Sequence, residues 1–256
     1  MRLYGLIGYP LGHSFSARYF AGKFAAERIA DCEYRNFPLE NISGLPAMIA
    51  ANPDLQGFNV TIPYKQEIIP FLRRIDGEAR AIGAVNCVSV VRYVDAVELA
   101  GYNTDAYGFR RSLLGLIGDD RPAALVLGTG GSSRAVKYVL EGLGIAFRNV
   151  SRTAIGGNLS YAQLTPEIIS QHKLIVNCTP LGTFPNVEEC TDLPYEAIGQ
   201  GHYLFDLVYN PSLTEFLRRG ATNGARIRNG YEMLVWQAER SWEIWNGPAS
   251  AGRNEG

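Results

Sequence analysis

Ala123-Ala124-Leu125-Val126-Leu127 leads directly into Gly128-Thr129-Gly130-Gly131-Ser132-Ser133. The apolar run has the length and continuity of a strand buried on both faces. From Ser132 to Leu143 the residues Ala135, Val136, Val139, Leu140 and Leu143 fall at helical spacing, and Gly144 stands where a C-terminal glycine cap belongs. A second apolar run, Ile145 to Val150, closes a strand–helix–strand unit of 28 residues, 123–150. That is the size of a mononucleotide-binding half. Glycines at such a turn let backbone N–H groups approach a pyrophosphate, and the helix N-terminus favours its charge. Ser133 occupies the third position of the G-x-G-x-x-G pattern as a small residue. The pattern predicts a dinucleotide site at Gly128, Thr129, Gly130, Gly131 and Ser132.

Downstream, Leu174 to Cys178 and Tyr203 to Tyr209 read as further apolar strands. Apolar strands separated by helices predict a parallel sheet covered on both faces. The second strand of the unit ends Val150-Ser151-Arg152-Thr153. NAD-binding proteins carry an acid near this point to accept hydrogen bonds from the ribose. Here there is none, and Arg152 lies 24 residues after Gly128. A guanidinium there pairs with a 2′-phosphate, so NADP is the predicted cofactor, against the plainer use of Arg152 as a solvated surface residue.

The first half mixes strands at Leu3 to Gly8, Tyr34 to Phe37, Gly57 to Ile62 and Asn86 to Val91 with helices at Ala17 to Ile29 and Gln66 to Ile75. A helix at Asp105 to Ile117 leads into the loop Gly118-Asp119-Asp120-Arg121-Pro122, and a last helix runs from Glu232 to Trp245. The expectation is an α/β protein of two lobes with a cleft between them. An N-terminal substrate lobe takes 1–103 and 232–256, and a Rossmann-like, doubly wound parallel-sheet NADP lobe takes 104–231.

Composition agrees. The 256 residues are 46% hydrophobic and 19% charged with a net charge of -1, which rules out disorder as the main state. The near-neutral balance lacks the field that nucleic acid or anionic lipid requires, so neither is expected as a partner. Cys32, Cys87, Cys178 and Cys190 are scattered without zinc spacing, and no metal is expected. The chain has no apolar run long enough to span a membrane. Its first residues read as a strand rather than a signal peptide, and the cytoplasm is the expected compartment.

In the substrate lobe, Gly57-Phe58-Asn59-Val60-Thr61-Ile62-Pro63-Tyr64-Lys65 alternates. Phe58, Val60 and Ile62 face one side, Asn59 and Thr61 the other, and Lys65 follows within reach. A wet cleft and a half-exposed strand both fit that pattern. Thr104 or Asp105 in Gly101-Tyr102-Asn103-Thr104-Asp105, and Ser14 or Ser16 before the first helix, also fit plain helix caps. His13 reads as structural, since no acid lies nearby in sequence to orient it.

Taken in order, these segments resemble the shikimate dehydrogenase family (shikimate/quinate dehydrogenases) along almost the whole chain. The matching pieces begin with Gly8-x-Pro10-x-x-His13-Ser14-x-Ser16, Asn59-Val60-Thr61-x-Pro63-x-Lys65 and Gly83-Ala84-Val85-Asn86. Gly101-x-Asn103-Thr104-Asp105 and the Gly-rich turn with Arg134 follow, then Asp206-Leu207-Val208-Tyr209-Asn210-Pro211 and Gly230-Tyr231-Glu232-Met233-Leu234-Val235-Trp236-Gln237. The resemblance implies NADP-dependent interconversion of 3-dehydroshikimate and shikimate in aromatic amino-acid and chorismate biosynthesis. It implies Lys65 and Asp105 as the catalytic acid/base pair. Ser14, Ser16 and Tyr209 would hold the substrate carboxylate, and Asn59, Thr61, Asn86, Asp105 and Gln237 the ring hydroxyls. Leu207, Gly230 and Met233 would line the nicotinamide, and Ser151, Arg152 and Thr153 the adenosine phosphate. A monomer or homodimer acting on small molecules is expected.

The sequence departs from the family pattern at Ala17, Gln66, Ser151 and Thr183, where proline, glutamate, asparagine and methionine are usual. None of these removes a catalytic group. Rival readings are a relative that prefers quinate or also uses NAD, a non-catalytic ligand sensor on the same fold, and an unrelated NADP protein sharing only the second lobe. Lys65 with Asp105 argues against the sensor, and the 59–65 segment against the last.

Overall fold

The computed structural model describes residues 1–12, 15–154 and 156–247, and the chain divides into two units. One holds Met1–Thr104 and the stretch from Gln237 onward; the other is Asp105–Trp236. The late boundary thus falls at Gln237 rather than at the expected Glu232, so the first turns of the last helix belong to the second unit.

In the first unit, β1 (Arg2–Gly8) is buried from Leu3 onward and lies parallel to and between β2 (Cys32–Pro38) and β3 (Leu55–Val60). β5 (Cys87–Arg92) runs antiparallel to β3 and to β6 (Val97–Tyr102), while the short β4 (Arg74–Ile75) pairs parallel with β6. The order is β2-β1-β3-β5-β6-β4. The tip joining β5 to β6 closes with Tyr93 N–H on the Ala96 carbonyl at 2.8 Å, which leaves no room for a crossover and makes the pair antiparallel. Among the described residues, three helices lie wholly in this unit, α1 (Phe15–Ala26), α2 (Leu45–Ala51) and α3 (Gly77–Ile82), and the last helix of the chain joins them from Gln237 onward.

The sheet separates two cores. On one face Leu45 and Ile49 of α2 pack with Ile7, Phe58, Val60 and Leu99. On the other an aromatic cluster joins Tyr4, Phe20, Phe24 and Trp245. The alternation along β3 sends Phe58 and Val60 to the α2 side, with Gly57 and Asn59 on the other. There a Cβ on Gly57 would collide with the Trp245 indole, so only glycine fits.

The expected helix at Gln66 to Ile75 does not form. Pro70 lacks an N–H and its ring would meet the carbonyl four residues back, which a regular helix cannot absorb. Turns and a single 3-10 turn at Ile69–Phe71 replace it, and the chain goes straight into β4.

In the second unit, α4 (Thr104–Ile117) is followed by β7 (Ala124–Leu127), α5 (Gly131–Gly142), β8 (Phe147–Ser151) and β9 (Leu159–Ser160). Then come α6 (Pro166–Gln171), β10 (Leu174–Asn177), β11 (Tyr203–Asp206), α7 (Glu215–Thr222), β12 (Arg226–Arg228) and α8 (Tyr231–Asn246). Every pairing is parallel, in the order β12-β11-β10-β7-β8-β9. β7, β10 and β11 are buried at every residue, as strands covered on both faces must be. This is the expected doubly wound sheet. The register brings Leu127, Val150 and Asn177 level, and Asn177 level with Asp206, so the loops that follow four strands emerge at one edge.

Candidate active site

In the first unit the polar positions converge on the sheet face opposite α2. Asn59 and Asn86 are both 3% exposed and Gln237 is 5% exposed, so each amide needs a partner. Asn59 Nδ2 donates to the Asn86 carbonyl at 3.2 Å and to Ser241 Oγ at 2.9 Å, while its Oδ1 accepts from the Tyr34 hydroxyl at 2.9 Å. Asn86 Oδ1 accepts the Thr104 N–H at 2.6 Å, and its Nδ2 donates to Thr104 Oγ1 at 3.0 Å and Gln237 Oε1 at 3.5 Å. Thr104 and Ser241 are fully buried, their hydroxyls 3.2 Å apart, and Ser241 donates to the Gln237 carbonyl at 2.9 Å. Burial and the Ser16 hydroxyl both act on Tyr34, and burial dominates, holding its phenol well above the usual range.

Asn59, like Asn86, has both amide hydrogens engaged inside the unit, where it buttresses Asn86 and Ser241. Tyr34, Thr104 and Ser241 are the members that motif reading missed. Thr104 stands in the Gly101-x-Asn103-Thr104-Asp105 motif but reads there as a helix cap, while Ser241 stands four residues after Gln237, on the same face of α8.

Lys65 follows β3 on a tight turn. Thr61 N–H donates to the Ile7 carbonyl and Tyr64 N–H to the Thr61 carbonyl, each at 2.9 Å, and the Lys65 carbonyl accepts Val85 N–H at 2.7 Å. The buried Tyr64 pins this turn by donating to the Leu39 carbonyl at 2.5 Å. Thr61 and Lys65 are left half-buried at its end. Ser16 sits in the first turn of α1, also half-buried. Ser14, and His13 beside it, lie outside the described residues.

In the second unit, a cavity of about 640 Å³ opens where the strands end. That volume suits a nucleotide-sized ligand. Gly128, Thr129, Gly130, Ser151, Arg152 and Thr153 all line it. Gly128 has φ +97°, and a Cβ there would stand 3.0 Å from Thr179 Cγ2 and 3.4 Å from the Cys178 backbone, inside the cavity wall. Gly130 caps α5 with no side-chain hydrogen bond, which leaves the first N–H groups of that helix facing outward. Ser133 is fully buried, its hydroxyl on the Gly130 carbonyl at 2.7 Å, as close packing at the third motif position requires. Ser151 Oγ donates to the Thr153 carbonyl at 2.6 Å and folds the loop that presents the exposed Arg152. Among the described residues, carboxylates are absent from this lining. The cradle, the open helix end and the Arg152 guanidinium fit a phosphorylated dinucleotide.

Reading by motif missed Asn158, Tyr161 and the Cys178–Leu181 loop, which line the same cavity. Position alone could have found the loop, because residues just past each parallel strand border the crevice. Burial pushes the Tyr161 phenol up to about 12, with Arg152 pulling the other way. Burial, reinforced by Asp206, also raises the Cys178 thiol.

The loop is held from beneath. Asn177 Oδ1 accepts from Thr179 N–H and Oγ1 at 3.0 and 2.7 Å, and its Nδ2 donates to Asp206 Oδ1 at 2.9 Å. Asp206, fully buried, also accepts from Val208 N–H at 3.0 Å and Thr214 Oγ1 at 2.5 Å. Burial outweighs those bonds and raises its carboxyl to about 6.

Gly131 and Ser132 open α5 beside the cavity, and Leu207 leaves β11 with its N–H on the Asn177 carbonyl at 3.0 Å. A Cβ on Gly230 would collide with the Leu207 carbonyl, and Gly230 N–H meets the Val208 carbonyl at 3.1 Å. Met233 is buried in the first turn of α8. Tyr209 is half-buried past β11, and Asp105 is 7% exposed in the first turn of α4. Among the described residues, His, Cys, Asp and Glu form no group of three or more that could hold a metal ion. The described residues include no helix long and apolar enough to cross a membrane.

A family model described as "Shikimate dehydrogenase substrate binding domain" matches residues 6–88, within the first unit. A Clostridium beijerinckii relative named "Shikimate dehydrogenase (NADP(+))" is 37% identical over 257 residues, covering 96% of this chain and 92% of its own. The chain belongs to the shikimate dehydrogenase family. Among solved structures, the shikimate 5-dehydrogenase of Thermus thermophilus, in complex with NADP(H) and shikimate, has a TM-score of 0.81 at 32% identity, with 96% of this chain and 94% of that one covered. Quinate dehydrogenase from Corynebacterium glutamicum, in complex with NAD, has a TM-score of 0.83 at 25% identity, covering 96% and 94%. Each of these two solved structures matches this chain through both of its units.

Proposed function

We propose that this protein is an NADP-dependent shikimate dehydrogenase that reversibly reduces 3-dehydroshikimate to shikimate, in the cytoplasm, on the route to chorismate and the aromatic amino acids. The observation that carries the cofactor half is the cavity in which Arg152, Ser151 and Thr153 close the adenosine end without a carboxylate. Relatives of that name over nearly the whole chain support the substrate half.

Gly128, Thr129 and Gly130 would hold the pyrophosphate against the α5 N-terminus, and Arg152 the 2′-phosphate. When bound, NADPH supplies the hydride. The protein's own residues handle charge and position. Lys65 Nζ hydrogen-bonds the ketone oxygen and gives up a proton as negative charge develops there; in the reverse direction it takes that proton back. Asp105 keeps the lysine oriented and accepts a hydrogen bond from a ring hydroxyl. Asn86 and Gln237, locked by the buried network, present fixed amides to the other hydroxyls. Ser14, Ser16 and Tyr209 take the carboxylate. Prealigned donors cost no reorganisation at the moment of reaction, which is why the network behind them matters as much as the groups themselves.

The test is nicotinamide absorbance of the purified protein with shikimate or quinate, each paired with NADP or NAD. Reduction with shikimate and NADP alone supports the reading. A preference for quinate or NAD moves the protein toward the quinate branch and keeps the Lys65–Asp105 chemistry. Silence in all four pairings, with shikimate still bound in calorimetry, replaces the enzyme by a sensor.

A further inference from the structure

Arg92 ends β5 on the α2 side of the first unit. Its Nη2 donates to the carbonyls of Ile49 at 3.2 Å and Asn52 at 2.9 Å, at the C-terminal end of α2. Its Nε is buried without a hydrogen-bond partner, and no carboxylate among the described residues pairs with it. The same side chain lines a cavity of about 260 Å³ whose other walls include Leu45, Ile49, Phe71, Val97 and Leu99. Two carbonyl dipoles at a helix end offset part of the cost of holding a cation there, but they supply no counter-charge.

We propose that this cavity is a second ligand site, for a small monoanionic carboxylate with an apolar body, anchored on Arg92. Both Nη2 hydrogens are spent on the Ile49 and Asn52 carbonyls, so a carboxylate would be held through Nη1, by one charge-assisted hydrogen bond. Apolar walls disfavour a second charge or a phosphate, which would lose water with nothing to replace it. A dry cavity of about 150 Å³ takes benzene, so 260 Å³ has room for one ring and a short carboxyl arm. The site lies on the face of the sheet that holds Phe58 and Val60, opposite Asn59 and Ser241. It is thus separate from the polar groups assigned to the substrate in this unit.

The experiment is a titration of the full-length, isotopically labelled protein with phenylacetate and with neutral 2-phenylethanol, followed by amide resonances. Saturable shifts confined to α2 and the β5–β6 pair are expected for phenylacetate. Binding of the neutral analogue should be at least about tenfold weaker, the worth of one charged hydrogen bond. Arg92→Gln should weaken phenylacetate by the same factor. Because that change also removes bonds to α2, Ala50→Phe serves as the second variant. It fills the cavity mouth from an exposed helix position, leaves Arg92 in place, and should abolish the shifts. Equal binding of the neutral compound, shifts that map elsewhere, unaltered binding in Ala50→Phe, or no saturable shift with either compound overturns the proposal.

Discussion

Asn59 and Thr61 alternate onto one face of the chain, and a period of two assigns them the same surroundings. The structure separates them. Asn59 is 3% exposed with its donors spent on Asn86 and Ser241, whereas Thr61 stays half-buried at the turn that carries Lys65. Lys65→Ala should therefore lower turnover by about 10²–10⁴-fold, the range of a lost general acid, while NADP titration stays unchanged, because the cofactor cavity belongs wholly to the second unit. A parallel loss of NADP affinity would contradict that division. Arg152→Ala should raise the NADP dissociation constant by about 10–100-fold, as a charge-assisted hydrogen bond is worth, and leave NAD nearly untouched. Fluorescence titration with both dinucleotides decides it, and equal losses would return Arg152 to the status of a surface residue.

Asp206 acts through two elements, since it ends β11 and fixes the loop after β10 by way of Asn177. Its carboxyl is raised to about 6 in the folded protein, above the 3.8 of an ordinary aspartate. The folded state thus holds this proton more tightly than the unfolded chain. The stability it contributes is complete below pH about 4 and is lost as pH rises through 6, a difference on the order of 3 kcal/mol at 1.36 kcal/mol per unit. Asp206→Asn keeps acceptors for Asn177 and Val208 without the charge. Its unfolding free energy in urea, compared with the unaltered protein, should gain on it between pH 4 and 7. A constant difference across that range would show the charge is not what is being removed. At the same scale, the predicted helix over 66–75 failed because apolar spacing at Ile68, Ile69 and Leu72 outvoted one residue, Pro70, that a regular helix cannot take. β12, Arg226–Arg228, was invisible for the opposite reason: a strand reading Arg-Ile-Arg has no apolar pattern and exists because β11 offers it a free edge.

For the molecule as a whole, binding energy confined to one unit gives a prediction about both. NADP at a hundredfold excess over its dissociation constant should add about 2.7 kcal/mol to whatever unit holds it. For a chain of this size that is roughly 5–10 °C in melting temperature if the two units unfold together. Calorimetry showing one transition that moves as a whole would mean cooperative unfolding, whereas a split in which only one component moves would mean the units melt separately. Sequence by itself determined the doubly wound sheet, because buried parallel strands must be apolar along their length and the Gly-rich turn, weak evidence alone, stands between such a strand and a helix. It also determined the family, through motifs short enough to be held in local order. Tertiary structure alone decided which polar residues of those motifs are spent on one another. The bonds from Asn59 to Ser241 and from Asn86 to Gln237 span 182 and 151 positions. Local pattern carries no record of such distant partners, because hydrogen-bond satisfaction is settled only when burial removes the water that would otherwise supply it.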